Sequence, residues 1–210
     1  MQTANVAATK ANLIKAKDEL KLLVGGYDIL DKKRKALMQA YDAKIKERNE
    51  LNEIVNKTIN LVEHKFRKVL ASIGEADLDS ISKTVPIDNS INLKIDKFMQ
   101  TEISEITFDE VKLNLSYSFY ETNASFDEAI LSFNDLRSRL FKLAELDTTI
   151  NSLDREIKKT SKKVNSLDKV QIPKYKEMIK TISQSIEEKE REEFSKTKIV
   201  KENKLRKENN

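Results

Sequence analysis

The chain of 210 residues has no cysteine and no tryptophan, three glycines, two prolines and one histidine. Without cysteine there is neither a disulfide framework nor a thiolate metal site, which fits a reducing compartment. Neither G-x-x-x-x-G-K-[ST] nor G-x-G-x-x-G occurs, so the common phosphate-cradling loops are excluded. The single histidine, His64, lies between Glu63 and Lys65 in a helical context and reads as an ordinary polar position. No run of about 18 apolar residues exists, and the opening MQTANVAATK lacks the apolar core of a signal peptide. A soluble chain is expected, one that meets a membrane only through partners. With 39% hydrophobic residues there is too little apolar content for a broad three-layer core. Catalysis by the isolated chain is not expected either: Glu187, Glu188, Glu190, Glu192 and Glu193 alternate with Lys189 and Arg191 as surface ion pairs do on a helix.

What is present is helical periodicity over great length. From Thr9 to about Ser72, Leu13, Leu20, Tyr27, Tyr41, Val55, Val62 and Val69 keep one seven-residue register, with Ala16, Leu23, Leu30, Leu37 and Leu51 at the companion position. From Ser125 to about Lys204 the pattern returns in Leu136, Leu143, Ile150, Ile157 and Val164, accompanied by Leu146, Leu153 and Leu167. Helices of this size would reach on the order of 90 to 115 Å at 1.5 Å per residue. The seam is imperfect: Arg34, Lys44, Arg48, Thr58 and Lys65 occupy core positions while Ile45, Ile59 and Phe66 sit one step over. A nearly straight helix drifts in this way against a strict 3.5 repeat, so loose supercoiling is expected. The fold class that follows is all-α dominated: a long antiparallel two-helix coiled coil with a small β-hairpin insert at one end.

Punctuation divides the chain into an N-terminal long helix (1–74), an acidic insert (75–124) and a C-terminal long helix (125–210), one domain overall. Gly74 stands where a left-handed residue ends a helix. Ser125-Phe126-Asp127-Glu128 has the spacing of a capping box, which predicts the second helix start there. Between them Ile91, Leu93 and Ile95 alternate with polar residues, as do Val111, Leu113, Leu115, Tyr117 and Phe119, a period of two that reads as strand; Ile103, Ile106 and Phe108 offer a further short piece. A hairpin or a three-strand patch is expected, with its pairing open.

Charge is uneven. Residues 71–131 carry twelve acidic and four basic side chains, against six basic and one acidic from Lys196 to Lys207 and eight basic and four acidic from Lys10 to Lys35. An antiparallel hairpin of helices would gather the basic segments at one end and the acidic insert at the other. The basic segments lack interleaved aromatics, and no nucleic-acid-binding module is visible. Two local features stand out. Gly25-Gly26 inside a helix costs roughly 1 kcal/mol per glycine relative to alanine, which invites either close approach by another backbone or a tolerated flexible spot. Pro173 within the second stripe should bend that helix.

Three segments resemble the D subunit of the rotary V-type/A-type ATPases: Gly26-Tyr27-x-x-Leu30-Asp31-Lys32-Lys33-Arg34-x-x-Leu37, then Thr122-Asn123-Ala124-x-Phe126-Asp127-x-Ala129-Ile130, and a C-terminal run. That run is Lys162-Lys163-Val164-Asn165-Ser166-Leu167, Ile172-Pro173 and Glu190-Arg191-Glu192-Glu193-Phe194, leading to Lys196, Lys198 and Lys201. Together they span almost the whole chain in order. Departures are modest: Ala7-Ala8-Thr9 replaces a usual Asn-Pro-Thr, and Ser161-Lys162-Lys163 replaces an arginine-rich run, so a bidentate contact there is not expected.

The resemblance implies a non-catalytic central rotor shaft, cytoplasmic and peripheral to a membrane through its complex, and no cofactor. Its implied partners are a hexamer of catalytic A and non-catalytic B subunits, a small companion F subunit of the rotor, and a funnel-shaped C/d subunit above the membrane ring; nucleic acid is not among them. Lys33, Arg34, Lys162, Lys163, Lys196, Lys198 and Lys201 would face the hexamer. Ile91, Leu93, Ile95, Ile103 and Ile106 would lie toward or near the F subunit. The resemblance also implies a short hairpin pairing residues 90 to 99 with 102 to 108. A static coiled-coil tether is the main alternative, and it should homodimerise through the same stripe.

Overall fold

A computed structural model describes residues 7–84, 91–108 and 122–208, of which 86% are helical. In chain order these are α1 (Lys10–Ile73), α2 (Glu75–Ser82), the strands β1 (Ile91–Phe98) and β2 (Thr101–Phe108), α3 (Ala124–Ser166), a π turn (Leu167–Gln171) and α4 (Ile172–Glu208). The long helices and the two-stranded antiparallel sheet are those expected. The chain forms two compact units, Met1–Arg34 with Lys159–Asn210, and Lys35–Lys158.

In the first unit α1 begins without a proline in its first turn. Thr9 serves as the cap: its Oγ1 accepts from Asn12 N–H at 3.3 Å and its carbonyl from Leu13 N–H at 3.0 Å, while Asn12 Nδ2 reaches back to the Ala7 carbonyl at 2.8 Å. Four amides of a helix start need partners from outside the helix, and a threonine oxygen is among the better ones. Lys10 Nζ meets Glu190 at 2.7 Å and Tyr175 hydrogen-bonds Glu19, so α4 partners fall in number as α1 residues rise, an antiparallel pairing within one chain. Ala16, Thr160, Val164, Ile172 and Ile182 are buried along this pair.

Pro173 is accommodated by a π turn over the five residues ahead of it rather than left as an unrelieved break. A proline in a helix lacks an N–H and its ring crowds the carbonyl four residues back. In the wider turn Ile172 N–H reaches the carbonyl of Leu167, five residues back. The buried positions Val164 and Ile172 are eight residues apart here, and the extra residue in the turn keeps them on one face.

The second unit holds the rest of α1, α2, the β-hairpin and α3 up to Lys158. Leu37, Val55, Val69, Leu136, Leu146 and Leu153 are its buried seam. The polar residues that interrupt the seven-residue register find partners: Arg48 Nε donates to Asp147 at 3.0 Å, Lys65 Nζ to the Glu128 carbonyl at 3.5 Å, and buried Thr58 to its own helix at the Ile54 carbonyl, 2.9 Å. Ile59 and Phe66, one step over in the sequence pattern, are 40% and 48% exposed, so the seam passes beside them and not over them.

At the head of this unit Gly74 adopts φ 92°, a conformation that costs any residue with a Cβ, and lets the chain leave α1 and enter α2 without a linker. Ile81 of α2 then closes a small core with Val69, Phe126 and Ala129, flanked by Ile73, Leu78 and Ile130. The start of α3 differs from the sequence expectation. The helix begins at Ala124, and Asn123, not Ser125, supplies the cap: its Oδ1 accepts from Phe126 N–H at 3.1 Å. Its Nδ2 donates to Ser72 Oγ at 2.9 Å, so one side chain starts α3 and ties it to the end of α1.

β1 and β2 pair in the register Ile91 with Phe108 through Phe98 with Thr101. This is the pairing implied by the resemblance; the alternating residues 111 to 119 lie outside the described residues. The connecting Met99 and Gln100 both have positive φ, 48° and 68°. A two-residue hairpin turn of this hand matches the twist of the strands, but it is normally filled by Asn and Gly.

Candidate partner interfaces

The predicted contact residues fall into three places. In the first unit, the antiparallel register carries Lys33 and Arg34 of α1 to the level of Lys162 and Lys163 near the end of α3. Arg34 pairs within its own helix with Asp31, which leaves its guanidinium oriented rather than free to fork around a distant carboxylate. Lys162 and Lys163 are exposed beside buried Val164.

Lys196, Lys198 and Lys201 do not join that cluster. They are about 34 residues or more further along, on the order of 50 Å of helix. From Glu187 to Glu202 every side chain is exposed, and α1 starts only at Lys10, opposite Glu190, so beyond Glu190 α4 has no α1 residue left to pair with among those described. Lys196 has Glu192 one turn back at 3.8 Å. Apolar Phe194, Ile199 and Val200 are 74%, 57% and 55% exposed on the same segment. This segment therefore carries large apolar and basic side chains into solvent together. The groove lined by Glu187, Glu190, Arg191, Phe194 and Ser195 is open, not an enclosed ligand cavity.

The third place is the β-hairpin of the second unit. Ile91, Leu93 and Ile95 are exposed, whereas Ile103 and Ile106 are half-buried. Alternation along paired strands puts Ile91, Leu93, Ile95 and Ile106 on one face. The opposite face carries Lys94, with Glu105 at 3.5 Å and Asp96 at 3.7 Å. Glu145 of α3 accepts the Ile106 N–H at 3.1 Å and so holds the outer edge of β2 against the helix.

Sequence reasoning missed a second apolar stripe on α1. Leu22 and Ile29, 75% and 70% exposed and seven residues apart, share a helical face with Gly25. The signal was in the sequence as apolar residues off the main register. Among the described residues a Cβ added at Gly25 or Gly26 would meet nothing within 4 Å.

Electrostatics along these surfaces is that of solvated pairs. A hydrogen bond and the charge of Glu190 raise the Lys10 ammonium above its ordinary value, and Asp154 does the same for Lys158. The hydrogen bond to Glu19, with some burial, raises the Tyr175 phenol. Among the described residues no three His, Cys, Asp or Glu side chains gather as a metal site would require.

The family model that describes the D subunit of ATP synthase matches residues 12–202. The chain belongs to this family. Sequences similar to it include the V-type ATP synthase D subunit of Thermotoga neapolitana, 32% identical over 94% of this chain and 98% of that one. The A-type ATP synthase D subunits of Pyrococcus abyssi and Pyrococcus horikoshii are 29% and 30% identical, each over 93% of both chains. In the segment Thr122-Asn123-Ala124-x-Phe126, on which the resemblance partly rests, Asn123 caps α3 and binds Ser72 while Phe126 enters the core beside Val69. No helix among the described residues is long and apolar enough to cross a membrane.

Proposed function

We propose that this D subunit is the non-catalytic central shaft of its ATPase complex, coupling nucleotide chemistry in a hexamer of A and B subunits to ion movement at a membrane ring. The observation that carries the reading is the intrachain pairing: Lys10 with Glu190 and Glu19 with Tyr175 in one unit, Arg48 with Asp147 and Ser72 with Asn123 in the other. A tether that homodimerised through its stripe would need that stripe free, whereas here Leu37, Leu153, Val69 and Val164 are at most 2% exposed within a single chain. Two helices zipped by buried aliphatic side chains, each contributing roughly 1.5 to 3 kcal/mol, resist bending and fraying where a single helix would not.

In this reading the exposed segment of α4 with Lys196, Lys198 and Lys201, and the level of Lys33, Arg34, Lys162 and Lys163, face the hexamer. Exposed ion pairs are worth about 0 to 1 kcal/mol each, weak enough to break and reform as a shaft turns. The acidic insert and its β-hairpin lie toward the companion F subunit and the funnel-shaped C/d subunit, and the whole sits at the cytoplasmic face of the membrane through those partners.

The chain has no native cysteine, so a single one at exposed Ile199 can be paired with one on the facing surface of a catalytic-ring subunit. Disulfide formation should stop steady-state ATP hydrolysis and reduction should restore it. Full multi-turnover hydrolysis with the crosslink verified intact would refute rotation of this segment.

A further inference from the structure

Among the described residues the two outer edges of the β-hairpin differ: β2 is held by α3 at Ile106, and β1 has no such partner. Because Phe98 and Thr101 close a two-residue turn, they form a hydrogen-bonded pair, as do Asp96 with Ile103, Lys94 with Glu105 and Asn92 with Thr107. The alternate residues therefore turn their backbone N–H and C=O groups outward. The Ile106 N–H is one of these, and it is bound by Glu145 of α3, which independently confirms the phase. On β1 the outward set is Ile91, Leu93, Ile95 and Lys97, and among the described residues no backbone hydrogen bond reaches them.

Their side chains share one face, so outward amides and exposed apolar side chains coincide: Ile91, Leu93 and Ile95 are 47%, 62% and 57% exposed. An isolated two-stranded hairpin is marginal in water, and natural edges are normally blunted. β1 has its lysines at Lys94 and Lys97, but Lys94 lies on the other face and is held by Glu105, and Lys97 stands across from Glu102. The sequence around the hairpin is acidic, twelve carboxylates to four ammonium groups over residues 71–131.

We propose that β1 is a docking edge for an extended basic segment of a partner protein, which adds as a third strand, its main chain bonding Ile91, Leu93 and Ile95 and its apolar side chains covering theirs. Main-chain pairing supplies the affinity, the alternate side chains the register, and the acidic surroundings the preference for Lys or Arg on the other face. The inference deepens the reading of the insert as a partner-binding end, and rests on that reading only for there being a partner at this place.

Residue-resolved hydrogen exchange on the purified chain and on the assembled complex tests it. In the free chain the amides of Leu93, Ile95 and Lys97 should exchange faster than those of Asn92, Lys94 and Asp96; in the complex the odd-numbered set should slow by at least about tenfold, the equivalent of about 1.4 kcal/mol. Leu93→Pro removes one outward N–H without touching the ladder and should weaken assembly by about tenfold, the size of one main-chain hydrogen bond lost. Should that variant perturb the hairpin itself, Ile95→Lys and Ile95→Glu remain: a basic partner segment requires the lysine to weaken assembly more than the glutamate. Odd-numbered amides already slow in the free chain would mean that another segment of this chain fills the edge, and would overturn the proposal. Equal slowing of both sets with Leu93→Pro neutral would mean contact without strand addition, and would overturn it too. Fast odd-numbered amides in a complex that hydrolyses ATP would refute the docking edge while leaving the shaft role standing.

Discussion

Replacing Gly25 and Gly26 by alanine should stabilise the free chain. Both residues are interior to α1, helical in φ, and a Cβ at either would find nothing within 4 Å. One term then remains. Glycine is less favourable than alanine in a helix interior by about 0.8 to 1.0 kcal/mol, chiefly through the unfolded chain's freedom, and no steric cost offsets it. The pair should therefore contribute about 2 kcal/mol to local helix stability, a factor of roughly 30 in the opening equilibrium of this part of α1. Amide exchange of residues 22 to 34 reads that factor directly, and thermal unfolding should shift upward by about 4 to 8 °C if the chain unfolds as a unit. The result that refutes the reasoning is faster exchange or a lower melting temperature in either single variant, since that would mean a backbone or side chain does approach the glycines. Stabilised chains that assemble poorly would instead place a partner's backbone at Gly25 and Gly26.

Leu37→Ala and Leu153→Ala remove side chains 0% and 1% exposed and should each cost about 2 to 5 kcal/mol in urea denaturation, because the cavity adds to the lost transfer energy. Asn123→Asp keeps the acceptor for Phe126 N–H but loses the donor to Ser72, whereas Asn123→Ala loses both; the alanine should be the worse by about 1 kcal/mol, and equal losses would show that the cap contributes nothing. Met99→Asn with Gln100→Gly puts turn-forming residues where φ is positive and should slow exchange of the ladder amides in residues 92 to 107, unchanged rates being the contrary result. The Tyr175 phenol is raised by Glu19, so the folded state holds its proton more tightly; the contribution is present below the unfolded value and fades as pH rises through the folded one. Spectroscopic titration at alkaline pH should show one late-titrating tyrosine that Tyr175→Phe removes.

The long helices were legible because burial of one stripe repeats every seven residues over tens of residues, a signal that survives the interruptions at Arg48, Thr58 and Lys65. What the sequence concealed was local. The capping-box spacing points to Ser125 for the start of α3, whereas Asn123 takes that role while bound to Ser72, a residue distant in sequence. The π turn cannot be read from the stripe, because a proline alone predicts disruption and says nothing of how the preceding residues relax. The candidate surfaces were legible as residue types but not as places: nothing in the order of the sequence separates Lys162 from Lys196 into a paired level and an exposed end, since that depends on where α1 begins. Glu145, which binds the outer edge of β2 at Ile106, gives no sequence signal, being one acidic residue among many on a helix.

The turn at Leu167–Gln171 also bears on how such a helix tolerates change in length. A straight helix that gained one residue would rotate everything beyond it by about 100°, carrying Ile172, Tyr175 and Ile182 off the face they share with Val164. Housing the extra residue in a single wide turn confines the error, so the phase on either side is kept. The turn works as an expansion joint. Deleting one residue from it should keep the same buried face but expose the helix to the kink that Pro173 imposes on a plain α-helix, whereas deleting one residue two turns away should unseat α4 from α1.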